Sequence, residues 1–122
     1  MKRLMTKHFS KWISKQNISD EDLQTTLSEL EAGQFEANLG GYLYKKRVRF
    51  EGTGKSGSGR TIICYKKDDR AVFIHGFAKN EKANLSPKEL HAMKEFSRII
   101  IKLSASEVKV AIENGDFIEV AV

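Results

Sequence analysis

The hydrophobic pattern changes period twice along the chain. In "SDEDLQTTLSELEAG" (19–33), Leu23, Leu27 and Leu30 recur at helical spacing, one apolar stripe on a 3.6-residue turn. Ser19 precedes a first turn filled with acids, and Gly33 follows the last leucine. The segment therefore predicts a helix with a hydroxyl cap, carboxylates at its positive end and a glycine stop. Upstream, "KHFSKWISKQ" sets Phe9, Trp12 and Ile13 on one side of a short helix.

From Tyr42 the period falls to two. "YLYKKRVRF" places Tyr42, Tyr44, Val48 and Phe50 on one face of a strand, with Lys46 the odd member. Leu43, Lys45, Arg47 and Arg49 take the other face. "RTIICYK" (60–66) and "RAVFIHGFA" (70–78) are rich in β-branched and aromatic residues and meet at the polar turn "KDDR", which predicts an antiparallel hairpin. Helical spacing returns in "LSPKELHAMKEFSRIIIKL". Ser86 is its N-cap, Pro87 its first helical residue and Glu89 the far half of a capping box, with Leu90, Met93, Phe96, Ile100 and Leu103 as the apolar face. "SASEVKVAIENG" repeats that logic with Glu107 near its start and Asn114-Gly115 at its end, and "DFIEVAV" reads as a short last strand. The expected class is α+β: helices, an antiparallel sheet of at least three strands, then helices. Residues 104–122 form a helix–strand extension that either adds an edge strand or contacts a partner.

At 122 residues the chain is expected to be one domain, 1–122. Its longest apolar runs, "RIIIKL" and "FIEVAV", are too short to span a bilayer, and the basic first residues lack the apolar core of a signal peptide. No membrane association is expected, and a cytoplasmic location is. The lone cysteine, Cys64, lies in an apolar run; it has no partner for a disulfide or a zinc site and reads as buried packing. His8, His75 and His91 show no metal spacing with each other, with Cys64 or with paired acids. Neither metal nor cofactor is expected. His75 falls on the strand face of Ala71, Phe73 and Phe77 and reads as a buried structural histidine; an acid–base role is the second reading, because it stands just before "GFAKNEK".

Charge alters this picture. The net charge is +5, but residues 42–82 hold eleven Lys and Arg against four Asp and Glu, a local +7, while the flanks sum to −2. A basic centre suggests a surface facing a polyanion, either nucleic acid or an acidic protein segment. Within it, "EGTGKSGSGR" (51–60) satisfies G-x-G-x-x-G at Gly52, Gly54 and Gly57. A dinucleotide loop needs a helix after it, and here a strand follows; a P-loop would need glycine where Arg49 stands. The segment reads instead as a glycine-rich bridge between cationic strand ends: Arg47 and Arg49 before it, Arg60 after it, and Lys55 within it.

"GGYLYKKRVRF", "GTGKSGSGR", the strand pair and "GFAKNEKANLSPKEL", in that order, resemble the RelE/HigB superfamily of type II toxins, over roughly residues 20–103. The resemblance is strongest to the branch with a long Lys/Gly-rich loop and a "KNE" turn. It implies a small antiparallel sheet packed against N-terminal helices and a C-terminal helix. It also implies metal-independent mRNA cleavage in the ribosomal decoding site, by attack of a ribose 2′-hydroxyl on the adjacent phosphate, and neutralisation by a cognate antitoxin. A helix-turn-helix antitoxin with an acidic contact segment is the expected partner, beside ribosome and mRNA.

Carried over residue by residue, the resemblance makes Lys45, Arg47, Arg60 and Lys79 the phosphate-site residues, with Arg49, Lys55 and Lys82 binding RNA. Two positions depart from the pattern: Asn80 stands where many members have arginine, and Ser86 near where many have tyrosine. Two other readings stand beside this one. One is a ParE-like toxin of the same fold that inhibits gyrase; the other is a non-catalytic RNA-binding module.

Overall fold

The computed structural model describes residues 1–49, 58–78 and 85–121. They form β1 (Lys2–Thr6), α1 (Lys7–Ile13), α2 (Asp20–Glu31), β2 (Ala37–Gly40), β3 (Leu43–Arg49), β4 (Ser58–Lys66), β5 (Arg70–Ala78), α3 (Pro87–Lys102), α4 (Ala105–Glu113) and β6 (Phe117–Glu119). The strands make one sheet in the order β2-β3-β4-β5-β1-β6, antiparallel except for the β1–β5 pair. This is the expected α+β, RelE-like arrangement. None of the described helices is long and apolar enough to cross a membrane.

Both sheet faces are covered. On one, α1 and α2 pack Phe9, Leu23, Leu27 and Leu30 over Met5, Ile63, Ala71 and Phe73. On the other, α3 and α4 pack Ile100 and Val108 over Leu4, Leu43, Ile62, Cys64, Val72 and Ile74. This two-sided burial explains a strand that periodicity does not predict. In β1, Leu4 and Met5 are adjacent and buried on opposite faces, so the strand shows no alternation to read. The four-residue β2, "ANLG", is a half-exposed edge strand built partly from poor strand formers. It reaches β3 through Gly41 and Tyr42, both at positive φ (61° and 67°), as the tightest right-twisting hairpins require. Strand β3 thus begins at Leu43, and Tyr42 belongs to the turn.

The helix caps form as the sequence predicts. Ser19, Ser86 and Ser104 each accept from the backbone N–H three residues on, and Asp22, Glu89 and Glu107 reciprocate. The buried face of α3 differs from the expected one: Phe96 is 39% exposed, and Ser97 is fully buried in its place. Ser97 Oγ donates to Gly41 O at 2.7 Å and lies 3.1 Å from Cys64 Sγ, tying the helix to the β2–β3 turn and to β4. A small polar residue fits where the helix approaches the sheet closely. The segment 104–121 takes the edge-strand alternative, since β6 pairs antiparallel with β1.

Strands β4 and β5 contain a β-bulge. Ile62 pairs with His75 and Ile63 with Phe73, leaving Ile74 as the extra residue. Ile74 packs on the α3 side with Val72, while Phe73 packs on the α1 side. Beyond the bulge the phase is reversed, so His75 and Phe77 lie on the face opposite Ala71 and Phe73. The expected grouping of these four residues on one face is therefore corrected. Gly76 now points at α1, where a Cβ would come under 3.0 Å from Trp12 ring carbons.

Two outcomes test this packing. Gly76→Ala should lower stability by about 1–3 kcal/mol, the usual cost of overpacking, measured as a lower denaturant midpoint. Burial pushes the Cys64 thiol up to about 11, only partly offset by the Ser97 hydrogen bond and the Arg70 charge. An unfolded thiol loses its proton first, so this contribution to stability is complete below about pH 9 and lost as pH rises to about 11. Between those values the parent should lose on the order of 2 kcal/mol more stability than Cys64→Ala, followed by denaturant titration at each pH.

Candidate nucleic-acid interface

The register of β3, β4 and β5 lines up two cross-strand rows on the α3 side of the sheet. The first runs Ala37, Lys45, Ile62, His75, and the second Arg47, Arg60, Phe77. Residues two apart on one face are roughly 7 Å apart along a strand, so the rows are neighbours. Three of the four residues expected at the phosphate site, Lys45, Arg47 and Arg60, are thereby brought together. Arg49 ends β3 in register with Ser58, at the same end of the sheet. Lys55, Lys79 and Lys82 lie outside the described residues.

The electrostatics of the second row are unfavourable for a protein alone. Arg47 and Arg60 face each other directly across two strands, and like charges so placed destabilise a sheet. Neither has a carboxylate within 4.0 Å among the described residues. Arg60 Nη1 is buried and has no hydrogen-bond partner. A guanidinium cannot shed its proton to relieve either problem, and an unpaired buried polar group costs on the order of 1–3 kcal/mol. An anion with several oxygens resolves both at once by accepting from the two forks.

Other cations of the basic centre are committed to the fold. Lys46, on the opposite face of β3, is buried and pairs with Glu29 of α2 at 2.9 Å. This explains the odd member of the strand pattern: the lysine reaches a carboxylate rather than a core. Arg70 is buried too, donating from Nη1 to Ile100 O at 2.8 Å near the end of α3 and from Nε to Asp69 at 3.1 Å. Lys66 lies 3.6 Å from Asp69. On the cationic face the alternating positions of β3, β4 and β5 carry no carboxylate.

Beside the cations, Ala37, Leu39, Lys45, Ile62, Phe77, Leu85 and Leu90 line a cleft of about 260 Å³. It lies between the first row and the beginning of α3, so a mostly apolar recess adjoins the charged row. Ser86, at the start of that helix, is used as its N-cap. A serine hydroxyl there offers no ring for a base to stack on, in agreement with the departure noted in the sequence.

At the other end of the first row, His75 is half-buried, and its Nδ1 lies 3.2 Å from Nε2 of His8 on α1. Their rings are within 5° of parallel with centroids 5.4 Å apart, so the contact is an in-plane N–H···N hydrogen bond. The His75 ring also lies 6.0 Å from that of Phe77, the partner of Arg60. The sequence ranked His75 as a buried structural residue because the bulge leaves no mark in a period-two pattern. Among the described residues, no group of three or more His, Cys, Asp or Glu is arranged to hold a metal ion.

The comparisons with known proteins agree with the fold. No curated protein matches the chain. A family profile, the RelE toxin of the RelE/RelB toxin–antitoxin system, matches residues 1–120. That match covers nearly the whole chain, including the cationic rows, and the chain belongs to the RelE toxin family, the toxin half of a toxin–antitoxin pair.

Proposed function

We propose that this toxin is a ribosome-dependent endoribonuclease, and that the rows carrying Lys45, Arg47 and Arg60 hold the scissile phosphate of mRNA. The observation that carries this reading is the Arg47–Arg60 pair with its buried, unpartnered Nη1. Two arginines set opposite each other on adjacent strands suit a phosphate whose charge grows in a pentavalent transition state. The ribose 2′-hydroxyl attacks the neighbouring phosphorus, the 5′-oxygen leaves, and the products are a cyclic phosphate and a 5′-hydroxyl. Lys45 adds a third positive charge from the adjacent row. Lys79 completes the phosphate site, and Arg49, Lys55 and Lys82 hold flanking RNA.

Alignment of the attacking oxygen comes largely from the ribosome, which presents the codon in a fixed conformation. The same positive face serves inhibition. A cognate antitoxin carrying an acidic segment over these rows neutralises the charge and covers the site. The protein acts in the cytoplasm, where ribosomes and mRNA are.

Two measurements test the proposal. On inducible expression, new 5′ ends should appear in frame within translated mRNA and disappear in Arg60→Ala. Growth arrest with intact mRNA and a DNA-damage response would overturn the reading in favour of gyrase inhibition. Arg60→Leu should also raise stability by about 1 kcal/mol, because it removes a like-charge neighbour and an unsatisfied donor. Arg70→Leu should lower it by about 1–3 kcal/mol, through loss of the bond to Ile100 O. Both changes are read from denaturant midpoints.

A further inference from the structure

The second cationic row offers only guanidinium groups, which are poor proton donors to a leaving group. Arg47 and Arg60 keep their protons at any physiological pH, and a 5′-alkoxide cannot depart efficiently without one. The β-bulge at Ile74 supplies a candidate, since it turns His75 onto this face. His75 is two residues along β5 from Phe77, the direct partner of Arg60. That makes it the diagonal cross-strand neighbour of Arg60, at the roughly 7–8 Å separation that long and aromatic side chains bridge. One phosphate can therefore meet the guanidinium on one side and the imidazole on the other. His8 meets His75 at Nδ1, in the plane of the ring, so Nε2 is the ring nitrogen that does not face His8. This is the arrangement of an acid–base histidine oriented by a second group.

We infer that His75 is the general acid of the cleavage step and that His8 is its positioning residue; the inference rests on the nuclease reading above. In the step, the 2′-oxygen forms its bond to phosphorus while water takes the 2′-hydroxyl proton. The P–O5′ bond breaks, its electron pair goes to O5′, and O5′ takes the proton from Nε2 of the His75 imidazolium. The imidazolium donates Nδ1–H to His8 Nε2 until that transfer, which fixes the ring. Solvent returns the proton after the products leave.

The test uses purified ribosomes programmed with a short mRNA, made once with an ordinary linkage at the cleavage position and once with sulfur in place of the bridging 5′-oxygen. A thiolate leaves without protonation. His75→Ala should slow cleavage of the ordinary mRNA about 100-fold or more, the usual contribution of a general acid. On the sulfur-linked mRNA its rate should return to within about tenfold of the parent's. His8→Ala should show a smaller loss with the same rescue, and His8→Gln, whose amide oxygen can accept Nδ1–H, should retain the parent rate. Undiminished cleavage by His75→Ala, or equal loss on both substrates, overturns the assignment and leaves the nuclease reading standing. A parent protein that cuts neither substrate overturns the nuclease reading as well.

Discussion

The register of three strands is the constraint on which the site depends. Seven consecutive β3–β4 pairs put Arg47 opposite Arg60 and Lys45 opposite Ile62. A single extra residue in β5 then resets which side chains join them. A one-residue slip of β3 would send Lys45 and Arg47 to the α2 face and its Tyr44, Lys46 and Val48 to the other. Burial prevents that slip, because Leu43 is fully enclosed on one side of the strand and Val48 almost so on the other. The bulge has the same character. It lets Phe73 fill the α1–α2 core and Ile74 the α3–α4 core, and it leaves His75 and Phe77 on the cationic face. Packing of apolar residues thus determines where the polar chemistry stands.

The basic centre of the chain divides into two populations with different physics. Lys46, Lys66 and Arg70 answer to Glu29, Asp69 and a helix-end carbonyl, and they join sheet to helix or close a turn. Arg47 and Arg60 answer to no carboxylate among the described residues and repel each other. Stability alone would not select the second arrangement. A local cost kept within a well-packed sheet is the pattern expected where function sets the residue and the surrounding core tolerates it. Under the proposed function the missing partner is a phosphate when the toxin acts and an acidic segment when the antitoxin holds it.

Much of this was legible in the sequence, for identifiable reasons. Helices α2, α3 and α4 announce themselves through Ser19, Ser86 and Ser104 and their reciprocal acids, because capping is local chemistry. The cations of β3 were visible because period two separates faces. Strand β1 was not visible, since Leu4 and Met5 serve opposite cores, and neither was the edge strand β2 with its asparagine and glycine. At one turn of α3 hydrophobicity and packing disagree: hydrophobicity favours Phe96, while close approach to Gly41 and Cys64 requires Ser97. The placement of His75 needed the bulge, which only the pairing of β4 with β5 reveals. Its partner His8 lies 67 residues away in sequence, at the start of a helix where no local pattern connects them.

Under the proposed function a repulsive pair becomes a phosphate site, and a ribose hydroxyl is the attacking group. The most direct test of that chemistry is cleavage of a ribosome-bound mRNA whose decoding-site codon carries a single 2′-deoxynucleotide immediately 5′ of the scissile phosphate. The all-ribose mRNA should yield a 2′,3′-cyclic phosphate and a 5′-hydroxyl, and the deoxy-substituted mRNA should stay intact at that bond. Equal cleavage of the two, or ends other than these, would contradict it.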